Sequence, residues 1–319
     1  MTDRTSRTTR RTASGAAPPE RGASGPALPD RTGLLRVPGA TLHYEVRGQG
    51  PLLLMLPGGS ADAGIYDRLA ARLADRWTVA AFDPRGYSRS VLDDGGAEQR
   101  VRVHSDDAYR LIELLAPEGG PVAVFGTSSS AVVALDLLSR HPERLSRVVA
   151  HEPPLVELLP DPEVGRELFA AVRESFRADG VEAAMATMAA GLMGQAPDRP
   201  AQGGSGETAS ASSPKGAEVV PSPREAGAFR RMRANLPVFL EHVLCSFSGY
   251  VPDPEALGRG AEKLVVGVGR DSRDLLTAIP GVRLAGRIGG GPVEFPGGHV
   301  GSVEEPDAFA TRLRETLLA

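Results

Sequence analysis

The sequence predicts an α/β fold: a mostly parallel sheet with helices on both faces and a helical segment inserted late in the chain. Three observations predict it. Short apolar runs alternate with helix-patterned segments along most of the chain, the order that builds a parallel sheet with crossover helices. Several runs, such as PLLLMLP at 51–57, are continuously apolar, as strands covered on both faces must be. Between 153 and about 261 the alternation stops and long helical periodicity replaces it.

The elements follow in order. Residues 34–46 hold two short strands joined by Pro38-Gly39-Ala40, an N-terminal hairpin. Strands are then expected at 52–56, 79–82, 122–125, 148–150, 264–268 and 293–295. Helices are expected at 61–73, where Ile65, Leu69 and Leu73 share one face, and at 105–115, 129–141 and 306–318. Within the insertion, 164–192 reads as helix, with Leu168, Val172, Phe176 and Val181 on one face, and 229–247 as a second amphipathic helix. Residues 1–33, rich in Thr, Ser, Arg, Ala and Pro, read as a disordered tail. Arg10-Arg11 is not followed by the hydrophobic stretch of a twin-arginine signal. Residues 194–223, rich in Gly, Ser, Pro and Ala, read as a mobile loop. The core is therefore expected at 34–153 and 262–319, with the insertion at 154–261.

Composition excludes several function classes. The 319-residue chain carries a formal net charge of −4 and is 41% hydrophobic, an ordinary soluble composition that argues against a nucleic-acid partner. No apolar run approaches the roughly 20 residues that span a bilayer, so no membrane association is expected. Cys245 is the single cysteine, which rules out an intrachain disulfide and suggests a cytoplasmic home. No paired histidine motif, cysteine cluster or phosphate loop appears, so neither metal nor organic cofactor is expected. The expected partner is a small-molecule substrate.

The most informative stretch is VAVFGTSSSAVVALDLL at 122–138. A strand runs into Gly126-Thr127-Ser128-Ser129-Ser130 and an Ala-rich helix begins at once. Such a sharp turn strains the backbone at Ser128 and exposes its hydroxyl, as a nucleophile requires. Gly126 and Ser130 are small enough to let strand and helix pass. The bland alternative is a serine-rich helix cap. Upstream, Gly58-Gly59-Ser60 follows the buried strand at 52–56. Downstream, PVEFPGGHVGS at 292–302 places His299 in a glycine loop after a strand, the only one of six histidines so placed. An imidazole there suits a general base, because its proton affinity lies near neutrality.

These motifs resemble the serine α/β-hydrolases of the actinobacterial type, and the likeness covers nearly the whole folded chain. WTVAAFDPRGYSRS at 77–90 resembles that family's D-x-R-G-x-G-x-S loop, which is structural, with Ser88 where glycine is usual. The likeness implies an α/β-hydrolase fold with a helical cap roofing the site. It implies Ser128 as nucleophile, His299 as base, and the backbone amides of Gly59 and Ser129 as oxyanion donors. The family's most common place for the triad acid is the loop after the strand at 264–268. There the position three residues past Gly269 holds Ser272, with Asp271 one residue early and Asp274 two late. Asp271 is the favoured acid. Glu152, directly after the strand at 148–150, is the alternative, because some members carry the acid there. Met185, Met188, Met193, Phe239, Phe247 and Tyr250 are candidates for pocket walls or for the cap's own core. The implied activity is cleavage of a carboxylic ester or related acyl bond through an acyl-enzyme. A thioesterase, or a non-hydrolytic cyclase or lyase on the same fold, is the alternative. A catalytically dead binding scaffold would need neither Ser128 nor His299. Epoxide hydrolases and haloalkane dehalogenases need aspartate at the position of Ser128.

Overall fold

The computed structural model describes residues 30–95, 98–192, 223–273 and 275–319. The strands are β1 (Arg31–Val37), β2 (Ala40–Arg47), β3 (Leu52–Leu56), β4 (Thr78–Phe82), β5 (Val91–Leu92), β6 (Val122–Thr127), β7 (Leu145–His151), β8 (Leu264–Gly269) and β9 (Val293–Phe295). The helices are α1 (Asp67–Leu73), α2 (Val101–Leu115), α3 (Ser129–Arg140), α4 (Pro162–Asp179), α5 (Val181–Leu192) and α6 (Pro223–Val238). They continue with α7 (Leu244–Ser248), α8 (Pro254–Gly258), α9 (Ile279–Arg287), α10 (Gly301–Glu304) and α11 (Pro306–Leu318). The sheet runs β1-β2-β4-β3-β6-β7-β8-β9, with β5 beside β2. From β4 through β3 to β9 every pairing is parallel, and β1, β2 and β5 pair antiparallel. The α/β-hydrolase architecture expected from the sequence is the one observed.

Strand period explains the two cores. In β3 the side chains of Leu52, Leu54 and Leu56 enter one hydrophobic cluster and those of Leu53 and Met55 enter another. β6 does the same, with Val122 and Val124 on one face and Ala123 and Phe125 on the other. The first cluster takes Ala108, Leu111 and Ile112 from α2 and the apolar length of α3. The second takes Leu69 and Leu73 from α1 and Phe309 and Leu313 from α11. Both faces of the central strands are dry, which is why their sequences show no polar alternation.

Some boundaries differ from those expected, for identifiable reasons. β1 begins at Arg31, inside the stretch expected to be disordered, because Arg31, Thr32 and Gly33 find partners in Val46, Glu45 and Tyr44. The helix expected at 164–192 is two helices, broken at Gly180 with φ +86°. The one expected at 229–247 starts earlier as α6, passes through a π turn at Phe239–Val243 and ends as α7. α9 had no counterpart among the expected helices. The loop expected at 194–223 lies outside the described residues except for Pro223, as do nearly all of the tail, Met193 and Asp274.

The helical insertion has its own core of Val156, Leu159, Phe169, Val172, Ala184, Leu240 and Leu244, against which Leu276 and Ile279 pack. It therefore rests on the loops that follow β7 and β8. Of the candidate pocket walls, Phe247 is core, Tyr250 donates to Asp136 at 2.7 Å, and Met188 and Phe239 pack on the insertion's core. Met185 is exposed.

Polar groups dock much of α6, alongside the apolar packing of Ala228, Leu236 and Val238. Arg224 pairs with the buried Glu45 and Asp67, and Arg231 pairs with the buried Asp62. Asn235 donates to the Ser60 carbonyl and to Ser88 Oγ, each at 2.9 Å, and accepts from the Ser88 amide at 2.9 Å. That last bond accounts for a serine at φ +50° where glycine is usual, since the unusual conformation aims the amide at Asn235. Asn235→Ala would leave the Ser60 carbonyl unpaired in a buried setting and remove the acceptor of the Ser88 amide at the half-buried edge of the site. The expected loss is about 1–3 kcal/mol of unfolding free energy in a urea titration, and a loss under half that would mean water replaces the amide.

Among the described residues, no helix is long and apolar enough to cross a membrane, and no group of three or more His, Cys, Asp or Glu residues is placed to hold a metal ion.

Candidate active site

Steric crowding makes the turn at Ser128. The residue has φ +50° and ψ −125°, between the end of β6 and the start of α3. Its amide donates to the His151 carbonyl at 2.9 Å, which ties the turn to the end of β7. A Cβ on Gly126 would stand 2.5 Å from the Ser130 carbonyl oxygen. A Cβ on Gly58 would stand 2.1 Å from the Thr127 carbonyl oxygen and 3.0 Å from Ser128 Cβ. Only glycine fits at both places. Ser130, which replaces a second glycine, donates its hydroxyl to the Pro57 carbonyl at 2.7 Å, so it ties helix α3 to the loop after β3.

A chain of hydrogen bonds fixes that loop. The Gly58 amide donates to Thr127 Oγ1 at 3.2 Å, Thr127 Oγ1 lies 2.8 Å from the Tyr66 hydroxyl, and Tyr66 donates to the Leu56 carbonyl at 3.1 Å. Gly59 has φ +60°, and the space where its Cβ would stand is open. Its amide donates to Ser129 Oγ at 2.9 Å. The two expected oxyanion donors are thus brought together, with the Ser129 hydroxyl engaging the Gly59 amide. The Ser129 amide lies in the first turn of α3, where N–H groups have no intrahelical acceptor.

The structure corrects the expectation for Asp271. His299 Nδ1 lies 2.6 Å from Glu152 Oε2, not against Asp271. Asp271 has 56% of its side chain exposed and forms a two-point pair with Arg270 at 2.8 and 2.9 Å. The reason is the single 3₁₀ turn at Arg270–Ser272, which sends Asp271 to solvent and turns Ser272 inward. Glu152 is fully buried and sits at φ +48°, with its amide on the Gly267 carbonyl at 3.0 Å. A strained non-glycine residue of this kind persists only where its surroundings hold it. Its Oε1 accepts from the Gly269 amide at 2.8 Å and from the Ser272 hydroxyl. Burial would push this carboxyl up, but the bond and charge of His299, the charge of His151 and the bond from Ser272 outweigh it and hold the carboxyl down to about 2. A carboxylate has no proton to give, so the proton in the His299–Glu152 bond belongs to Nδ1. Nε2 is then the basic nitrogen. The imidazole is 29% exposed.

Ser128, Glu152 and His299 thus stand at the carboxyl ends of β6, β7 and β9, joined through the Ser128–His151 backbone bond and the Glu152–His299 pair. Sequence reasoning missed Gly269 and Ser272 as partners of Glu152. The only signal was the position of Ser272 three residues past Gly269.

The fold has a stated acid sensitivity. Glu45, beside His43, Arg224 and Arg89, is also held down to about 2 against the opposing effect of burial. Burial lowers His151 to about 4, and burial with the Arg85 charge lowers His104 to about 3. Depressed carboxyls stabilise fully above their unfolded value of 4.5 and lose that as pH falls toward 2. Buried neutral imidazoles stabilise fully above 6.5 and lose that as pH falls through their folded values. The melting temperature should be level from neutrality down to pH 6.5 and fall below it in calorimetry, with the carboxyls of Asp67 and Asp107, which burial pushes up, offsetting part of the fall. A level profile down to pH 4 would contradict this.

The chain belongs to the α/β-hydrolase family: the profile for the alpha/beta hydrolase fold matches residues 51–233. It is a hydrolase by that membership and by its relatives. It is 33% identical over 291 residues to an uncharacterized hydrolase, YraK, of Bacillus subtilis (strain 168), covering 89% of this chain and 95% of that one. Over 110 residues it is 32% identical to the 2-(acetamidomethylene)succinate hydrolase of Mesorhizobium japonicum (strain LMG 29417 / CECT 9101 / MAFF 303099), covering 34% of this chain and 38% of that one. The fold matches the enol-lactonase of Burkholderia xenovorans LB400 with a TM-score of 0.59 at 17% identity, covering 90% of this chain and all of that one.

Proposed function

We propose that the protein hydrolyses a carboxylic ester or related acyl bond of a small molecule through an acyl-enzyme on Ser128. The observation that carries this reading is the 2.6 Å bond between His299 Nδ1 and the buried Glu152, one residue past the backbone group that holds the strained Ser128 turn. His299 Nε2 takes the Ser128 proton as Oγ attacks the substrate carbonyl. The amides of Ser129 and Gly59 receive the oxyanion, Gly59 exchanging the Ser129 hydroxyl for the substrate oxygen. The acyl–oxygen bond breaks and His299 returns the proton to the departing alkoxide. Water, deprotonated by the same imidazole, then attacks the ester on Ser128, and the carboxylic acid leaves with the serine restored. Glu152 holds the Nδ1 proton throughout and steadies the imidazolium.

A small substrate suits the site, because the helical insertion rests on the loops after β3 and β7, which carry Gly59 and Glu152, and on the loop after β8 beside them. The lone Cys245 fits a protein of a reducing compartment. The test is turnover of short p-nitrophenyl esters in ¹⁸O-labelled water. The reading predicts alcohol release and one labelled oxygen in the product acid. Product formation without label would favour a cyclase or lyase, and no turnover of any acyl substrate together with no labelling by a fluorophosphonate would favour a binding scaffold.

A further inference from the structure

We propose that Ser272 is a positioning residue that holds Glu152 in the orientation His299 requires. This rests on the reading of Ser128, His299 and Glu152 as a catalytic unit. Glu152 has one more side-chain torsion than an aspartate would, and its backbone is already in an unusual conformation. A single bond from His299 would leave its carboxylate free to turn about the last torsion. Three donors prevent this, and they divide between the two oxygens. His299 takes Oε2, while the Gly269 amide at 2.8 Å and the Ser272 hydroxyl share Oε1.

Ser272 is only 1% exposed, so its hydroxyl has no water to turn to. Its one proton has two acceptors within reach, Glu152 Oε1 and the Gly269 carbonyl at 3.3 Å. The charged one is the stronger. The loop that carries Ser272 is pressed against the segment that carries His299. A Cβ on Gly269 would stand 2.6 Å from the Gly298 carbonyl atoms, and one on Gly298 would stand 4.0 Å from Ser272 Cβ. Ser272 therefore fixes Glu152 relative to the imidazole it orients, and joins β7, β8 and the loop after β9 at one carboxylate. The place where the sequence invited a third acid is filled by a donor to an acid from the neighbouring strand. A carboxylate there would confront Glu152 directly.

The test is a double-mutant cycle of Ser272→Ala and Glu152→Gln on ester hydrolysis, with pH profiles and melting temperatures for every variant. Ser272→Ala should lower kcat about tenfold with KM within about twofold, the loss expected of one hydrogen bond to a charged group. Losing the donor removes one of the bonds that favour the charged form of Glu152, so its carboxylate becomes more basic. The acidic limb of kcat/KM should therefore move to higher pH. In the Glu152→Gln background the same substitution should cost under about twofold, because the group it positions is gone. Ser272→Cys, which keeps a weaker donor of similar size, should lie between wild type and Ser272→Ala. It also serves if the alanine variant does not fold. The proposal is overturned if Glu152→Gln collapses while Ser272→Ala stays near wild type, the catalytic reading then standing without it. It is also overturned if Ser272→Ala costs as much in both backgrounds, or if its loss follows melting temperature with an unmoved acidic limb. Glu152→Gln near wild type would remove the catalytic reading itself and this proposal with it.

Discussion

Ser128→Ala should reduce ester turnover by about 10⁶ and abolish covalent labelling by a fluorophosphonate. The size of the effect follows from what the residue does. The neighbouring hydroxyls of Thr127, Ser129 and Ser130 are engaged by Gly58 and Tyr66, Gly59, and Pro57, which leaves Ser128, on its strained turn, to form the proposed acyl intermediate. The strain at φ +50° belongs to the backbone, so alanine should be tolerated there and the melting temperature should change little. His299→Ala should cost nearly as much, because nucleophile and base act as a unit. A Ser128→Ala enzyme with a tenth of wild-type turnover would mean that another group attacks the substrate.

Glu152→Gln should lower kcat by about 10⁴, while Asp271→Asn should cost well under tenfold. The amide keeps the length of the glutamate but removes the charge that steadies the imidazolium. It can also present an N–H toward Nδ1 and so favour the wrong imidazole tautomer. Asp271, paired with Arg270 at the surface, has no such task. The reverse pattern, a collapse with Asp271→Asn and little change with Glu152→Gln, would require the loop after β8 to turn over in solution.

The sheet was legible because its central strands are apolar on both faces, the turn at Ser128 because the small Gly126 and Ser130 flank it, and the turn at His299 because glycines bracket it. The acid was not, for a geometric reason. Asp271 and Ser272 are neighbours, and which of them faces inward depends on one turn of 3₁₀ helix closing against Gly298. Glu152 was legible as a residue just past its strand. Its φ of +48°, which belongs to the geometry that brings it to His299, leaves no mark in the identity of the side chain. The start of β1 was obscured because Arg31, Thr32 and Gly33 have tail-like composition and become strand only through pairing with β2. The docking of α6 was obscured because its partners, Glu45, Asp62 and Asp67, are far away in sequence and polar.

The most direct measurement is to treat the protein with a fluorophosphonate, digest it and locate the adduct by mass spectrometry. The account predicts one stoichiometric adduct on Ser128. It further predicts that Glu152→Gln slows labelling severely and that Asp271→Asn does not. An adduct on another residue, or none on a folded protein, would contradict the assignment of Ser128 as the nucleophile that His299 and Glu152 activate.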